Sequence, residues 1–310
     1  MKISPVICFA IVIYSAGCGP AHSPLPYIPT KGETALDNAY QLEKEGKLAE
    51  ACKIYKSWCQ KGGIDGRTGC YYRTRILYKM DNIDKARKIS VLFILKFHDS
   101  ALALPAVKRF ARSFEESNQF KQGTEILTEL AKKLKGTDLW DSILYEKAKL
   151  YKKMGKTAEE TQTLSFIVQK GRWGSQLWDN ALWRQIEIAQ EANDLATEEQ
   201  YIKKMLEAKE SSRLIASYNS PYFDDALFAL GHLYIKQKRY NDAFKAFTRL
   251  STWKTSTLKD DGLLWSAKVM YLQNQYKKAC KILFKLKKKM ADSSSFKKAC
   301  NLLKEWRCQK

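Results

Sequence analysis

The side chains best suited to chemistry in this 310-residue chain are eight cysteines, three histidines and a few paired carboxylates, and their spacing is poor for catalysis. His98 is followed directly by Asp99, but no motif places a nucleophile beside them. The chain has no HExxH helix, no GxSxG elbow and no phosphate-cradling glycine loop. Glu115-Glu116 and Glu159-Glu160 fall on helical patterns, where paired carboxylates usually solvate a surface. With no CxxC pair and no histidine cluster, metal ligation is not expected either. The expectation is a protein that binds, with no catalytic residue, metal or cofactor.

The cysteines are unevenly placed. Cys8 and Cys18 lie near the start, then come Cys52, Cys59 and Cys70, and then Cys280, Cys300 and Cys308. An oxidising compartment allows the two later groups to form disulfides. A helical hairpin turning at Gly62-Gly63 brings Cys59 and Cys70 face to face, and Cys280 can meet Cys300 or Cys308. Each group is odd in number, so the pairing stays open, with Cys59, Cys70, Cys280 and Cys308 as the candidates. Staples at the two ends have a purpose in a stacked array, whose terminal units lack a neighbour.

The elements that carry these residues begin with an export signal. Lys2, the apolar run Val6 to Tyr14 and the small residues Ser15-Ala16-Gly17 read as a cleaved signal peptide over 1–17. The run is well short of the roughly 20 residues that a spanning helix requires. Ser15-Ala16-Gly17-Cys18 resembles the lipobox of bacterial lipoproteins, which implies that Cys18 is acylated and becomes the mature N-terminus. Pro20, Pro24, Pro26 and Pro29 exclude a helix over 18–32 and favour an extended tether. Gly19 is not the aspartate that retains lipoproteins in the inner membrane, so the resemblance implies an exported protein anchored in the outer membrane and facing the periplasm.

The formal net charge is +21, with a pI near 9.5. Export makes nucleic acid an unexpected partner, and anionic lipid, a cell-wall polymer or an acidic protein fit better. The densest basic run is Lys277-Lys278, Lys281, Lys285 and Lys287-Lys288-Lys289. It reads as a solvated outer face or a surface laid against an anionic membrane.

From residue 33 to 310 the chain repeats itself. Trp140-Asp141-Ser142-Ile143-Leu144-Tyr145, Trp178-Asp179-Asn180-Ala181-Leu182-Trp183, Phe223-Asp224-Asp225-Ala226-Leu227-Phe228 and Lys259-Asp260-Asp261-Gly262-Leu263-Leu264 align. Each aspartate stands where a helix should begin and is expected to cap it. The third copy continues through Gly231 and Tyr234, turns at Lys238-Arg239, and runs on through Ala243 and Phe247. Leu227, Gly231, Tyr234, Ala243 and Phe247 resemble the tetratricopeptide repeat, in which small residues let two helices approach and aromatics fill the gaps. Further copies carry Ala39, Ala51 and Tyr55; Leu77 and Ala86; Phe114 and Gly123; and Ala267, Ala279 and Leu283. Glu160 and Glu198 stand where the pattern has alanine. The stretch from Ala51 to Leu77, with its cysteines and glycines, is similar to Sel1-like repeats. The implied fold is all-α, a superhelical solenoid of antiparallel helix pairs of tetratricopeptide type.

In that family the first helix of each pair lines a concave face. The resemblance implies a partner-binding groove holding Tyr145, Trp183, Phe228 and Leu264, with Lys149, Glu187, His232 and Lys268 one turn further on. The envelope lipoproteins that share the repeat imply a tethered scaffold for protein partners in outer-membrane biogenesis. A likeness to the helical domain of lytic transglycosylases implies the alternative, an accessory that binds peptidoglycan or another polysaccharide.

Overall fold

A computed structural model describes residues 34–171, 173–211 and 220–309. The expected signal peptide, the lipidation site Cys18 and the tether lie outside the described residues. Among the described residues there are 15 α-helices and no strand. None of these helices is long and apolar enough to cross a membrane. The fold is an all-α array of antiparallel helix pairs. It divides into two compact units at Ala106–Val107.

The first unit contains α1 (Thr34–Lys44), α2 (Leu48–Lys61), α3 (Gly63–Lys79) and α4 (Ile83–Lys96), each packed on the next. The division falls within α5 (Ala103–Glu116). The second unit continues with α6 (Phe120–Lys133), α7 (Leu139–Lys153), α8 (Thr157–Gln169), α9 (Trp178–Glu191) and α10 (Leu195–Ser211). It ends with α11 (Phe223–Lys236), α12 (Tyr240–Thr252), α13 (Lys259–Leu272), α14 (Tyr276–Lys289) and α15 (Phe296–Glu305).

Within each pair the two helices are joined by the same three-residue turn. Its middle residue takes a left-handed backbone at Gly46, Asp81, Asn118, Gly155, Asn193, Lys238 and Asn274, with φ from 54° to 78°. Glycine and asparagine tolerate that region best, which explains most of these choices. The next residue donates its N–H back to a carbonyl five residues earlier, as in Gln119 N to Phe114 O at 2.9 Å and Gln275 N to Met270 O at 2.9 Å. That bond reverses the chain and satisfies one of the carbonyls a helix end leaves orphaned.

The small positions of the repeat do the packing expected of them. The fourth residue of the second helix is Ala51, Ala86, Gly123, Ala243 or Ala279 in five of the pairs, and it lies at the contact between the two helices. At Gly123 an added Cβ would sit 2.8 Å from the Phe114 ring and from Leu150. At Gly231 it would run into the Phe247 ring. These side chains have no room to retreat, because Phe114 and Phe247 are both fully buried.

The repeated aspartates do more than the expected capping. Asp179 Oδ1 accepts the N–H of Asn180 in the first turn of its own helix at 3.0 Å. Asp179, Asp224 and Asp260 also bond beyond their own helices. They reach forward to the segment that precedes the next first helix. Asp179 Oδ2 accepts from Ser220 Oγ at 3.0 Å, Asp224 Oδ2 from Thr257 N at 3.0 Å, and Asp260 Oδ2 from Ser295 N at 3.1 Å. The carboxylate thus ties one pair to the next, where it satisfies donors that no helix bond could reach.

Disulfides join Cys59 to Cys70 and Cys280 to Cys308, with Cα–Cα separations of 4.4 and 5.5 Å. The first links α2 to α3 and the second links α14 to the segment after α15. Gly69 permits the first: a Cβ there would meet the Cys59 nitrogen at 2.7 Å.

Candidate functional site

The second unit carries a cleft of about 280 Å³ bounded by α9, α10 and α11. Trp183 and Phe228 supply aromatic walls, and Ala229, His232 and Leu233 continue the α11 side. Glu198 and Gln190 close it from α10 and α9, while Asp225 and Lys236 also line it. The cleft forms where α10 packs against both α9 and α11.

Three of the eight residues expected in a groove line this cleft. Trp183, Phe228 and His232 line the cleft together. Trp183 also stacks on Tyr222, with ring centroids 5.3 Å apart and planes 11° from parallel. His232 lies edge-on to Trp265 at 4.1 Å and to Phe228 at 4.5 Å. Burial, with Lys268 and Lys236 nearby, pushes the His232 imidazole below its ordinary pKa, so it is neutral at pH 7. Lys268 stands outside the cleft with its Nζ 4.0 Å over the Trp265 ring.

Tyr145 and Lys149 sit on α7 and do not line this cleft. Tyr145 is half-buried, and burial, reinforced by Tyr222 and by the carboxylates of Glu146 and Glu187, pushes its phenol up to about 12. Lys149 is exposed and pairs with Glu146 at 2.7 Å. Glu187 is held by Arg184 at 2.9 Å. Leu264 is a correction to the expected groove. It is only 1% exposed and belongs to the core cluster of Leu283, Leu286, Ala299 and Leu303. An aliphatic residue at this register turns inward, and the aromatic face of α13 passes to its neighbour Trp265.

Glu160 and Glu198, the two residues that break the alanine pattern, are 3% and 2% exposed. Each is the fourth residue of its helix, the position held by alanine or glycine elsewhere. Glu160 is neutralised by Arg184, with Nε to Oε1 at 2.7 Å and Nη2 to Oε2 at 3.3 Å. Arg184 also binds Glu187 and Glu191. Glu198 has much less. Its Oε1 accepts from Gln190 Nε2 at 2.8 Å, and its buried Oε2 has no partner among the described residues. Composition offered no signal for this difference, and only the register of the following helix carries it.

A larger, open cleft of about 910 Å³ lies against α14. Phe284, Trp306 and the Cys280–Cys308 disulfide form its apolar part, and Lys277, Lys281, Lys287, Lys288 and Arg307 surround it, with no carboxylate in the lining among the described residues. The basic run seen in the sequence is therefore one edge of a concave surface. Among the described residues, no group of three or more histidines, cysteines or carboxylates is placed to hold a metal ion.

No family model matches this chain, and no curated protein matches it. Among solved structures it is similar to BtubC of P. vanneervenii, at 14% identity over 76% of this chain and 90% of that chain, with a TM-score of 0.46. It is also similar to a tetratricopeptide repeat protein from Parabacteroides merdae, at 13% identity over 87% of this chain and 97% of that chain, with a TM-score of 0.38. Likenesses this distant carry no argument about what the chain binds, which rests on its own residues.

Proposed function

We propose that this chain is an exported, lipid-anchored scaffold of the cell envelope that recruits protein partners through its helix-pair array and catalyses no reaction. The lipobox-like Ser15-Ala16-Gly17-Cys18, the proline-rich tether and the outer-membrane placement read from Gly19 support the anchoring. The observation that carries the binding is the cleft that joins Trp183, Phe228 and His232 from separate repeats. Half-buried aromatics at a concave junction of helices are the usual anchors for an extended peptide. The basic cleft on α14 gives the scaffold a second surface, suited to anionic lipid or a cell-wall polymer once the anchor holds it near a membrane.

A pull-down from detergent-solubilised envelopes, read by mass spectrometry, tests this reading. The wild-type chain is compared with Cys18→Ala and Trp183→Ala. A protein partner that is retained by the wild type and lost from Trp183→Ala is the expected result, with Cys18→Ala released from the membrane fraction. Retention of the chain on purified cell-wall sacculi at moderate salt, with no protein enriched, would overturn it in favour of polysaccharide binding.

A further inference from the structure

Two consecutive repeats handle the same buried carboxylate in opposite ways. Glu160 and Glu198 are both the fourth residue of a second helix. The residue that answers Glu160 is Arg184, the seventh residue of the first helix that follows, α9. The seventh residue of the first helix that follows Glu198, α11, is Ala229. Where the earlier repeat holds a guanidinium, the later one holds a methyl group and the cleft of about 280 Å³, which Ala229 and Glu198 both line. One oxygen of Glu198 stays buried there with no partner among the described residues. A buried acceptor without a donor is costly, and a charged one more so.

We propose that this cleft receives the arginine side chain of a protein partner, whose guanidinium takes the place relative to Glu198 that Arg184 takes relative to Glu160. The inference rests on the groove reading above and names the chemistry of the partner. Glu198 Oε2 accepts an N–H from the guanidinium, and Trp183 and Phe228 receive its flat face. His232 adds no charge to oppose it, being neutral at pH 7. Asp225 offsets Lys236, the one cation among the described residues of the lining. Arginine is favoured over lysine because the template inside this chain is an arginine that engages both oxygens of its carboxylate.

Two measurements on the full chain test the inference. A phage library of random hexapeptides is selected on the wild type and on Trp183→Ala, Glu198→Gln and Ala229→Arg. The expected result is arginine enriched roughly tenfold at one register on the wild type, lost on each variant. Retained peptides that depend on Trp183 but carry no excess of arginine overturn the guanidinium site and leave the groove standing. Retention of no peptide overturns both. The second measurement needs no ligand. Ala229→Arg supplies the guanidinium from the chain itself and should raise Tm by about 2–4 °C, but not when Glu198→Gln is also present. An equal effect in both backgrounds means the cleft does not seat a guanidinium beside Glu198, and the inference falls.

Discussion

Glu160 and Arg184 form a buried pair at the junction of α8 and α9, with side chains 3% and 11% exposed. Such a pair stands or falls as a unit. Removing one partner leaves a desolvated charge, whereas removing both replaces two costly burials by a small cavity. Arg184→Ala is therefore expected to destabilise the second unit by about 3 kcal/mol in urea denaturation. Glu160→Ala with Arg184→Met should recover most of that loss, and a double change as harmful as the single would contradict the assignment. Nothing in the residues around Glu160 foretells its partner, which lies on the next repeat's first helix. The pattern showed only that alanine was missing.

The recurrent elements of this molecule are the turn inside each pair and the carboxylate between pairs. Lys238 is a β-carbon-bearing residue in the left-handed position that glycine or asparagine holds in other turns. Lys238→Gly should stabilise the second unit by about 1 kcal/mol, read from the urea midpoint at unchanged slope. Between pairs, Asp260 accepts the Ser295 N–H and the Ser294 hydroxyl. Burial raises its pKa, but those hydrogen bonds outweigh burial and hold it below the ordinary value. Asp260→Ala should cost roughly 2 kcal/mol and loosen α15, which hydrogen exchange of its amides would report.

Glu199 on α10 acts in the same way across elements. It binds Lys203 at 2.7 Å and Arg239, beside α12, at 3.0 Å. Burial raises its pKa, but the bonds from Lys203, Arg239 and Gln237 more than offset that and hold it at about 2, against 4.5 unperturbed. A depressed carboxyl pKa stabilises the fold above the unfolded value, and that stability is lost as pH falls through the folded one. The wild type should lose more stability than Glu199→Gln between pH 4.5 and about 2, as measured by denaturant midpoints across that window.

At the scale of the whole molecule the dominant fact is a net charge of +21. Much of the cationic surface is exposed lysine, and at the α14 cleft it surrounds an apolar floor. Binding to vesicles containing phosphatidylglycerol should weaken steadily as salt rises, because screening shortens the reach of these charges to about 8 Å at physiological ionic strength. Lys281→Glu with Lys288→Glu should weaken it further at low salt, and co-sedimentation unchanged by both salt and substitution would contradict an electrostatic surface. The two disulfides add a second whole-molecule property. Each closes a loop in a different unit, so Cys280→Ser with Cys308→Ser should lower the stability of the second unit by about 3 kcal/mol and leave the first unchanged.

The sequence by itself determined the class of the fold, because helix pairs leave a periodic trace. Ala39, Ala51, Ala243 and Ala279 mark where backbones touch, Phe114 and Phe247 mark what fills the gaps, and Lys238-Arg239 marks a reversal. Each of those signals is local to one pair. Only the tertiary structure decided what happens between pairs. It turned the aspartates forward to the next repeat, drew Leu264 into the core, and set Arg184 against Glu160 but Ala229 beside Glu198. Those outcomes depend on which residue of one repeat meets which residue of the next. Packing of whole helices sets that register, and no single stretch of sequence encodes it.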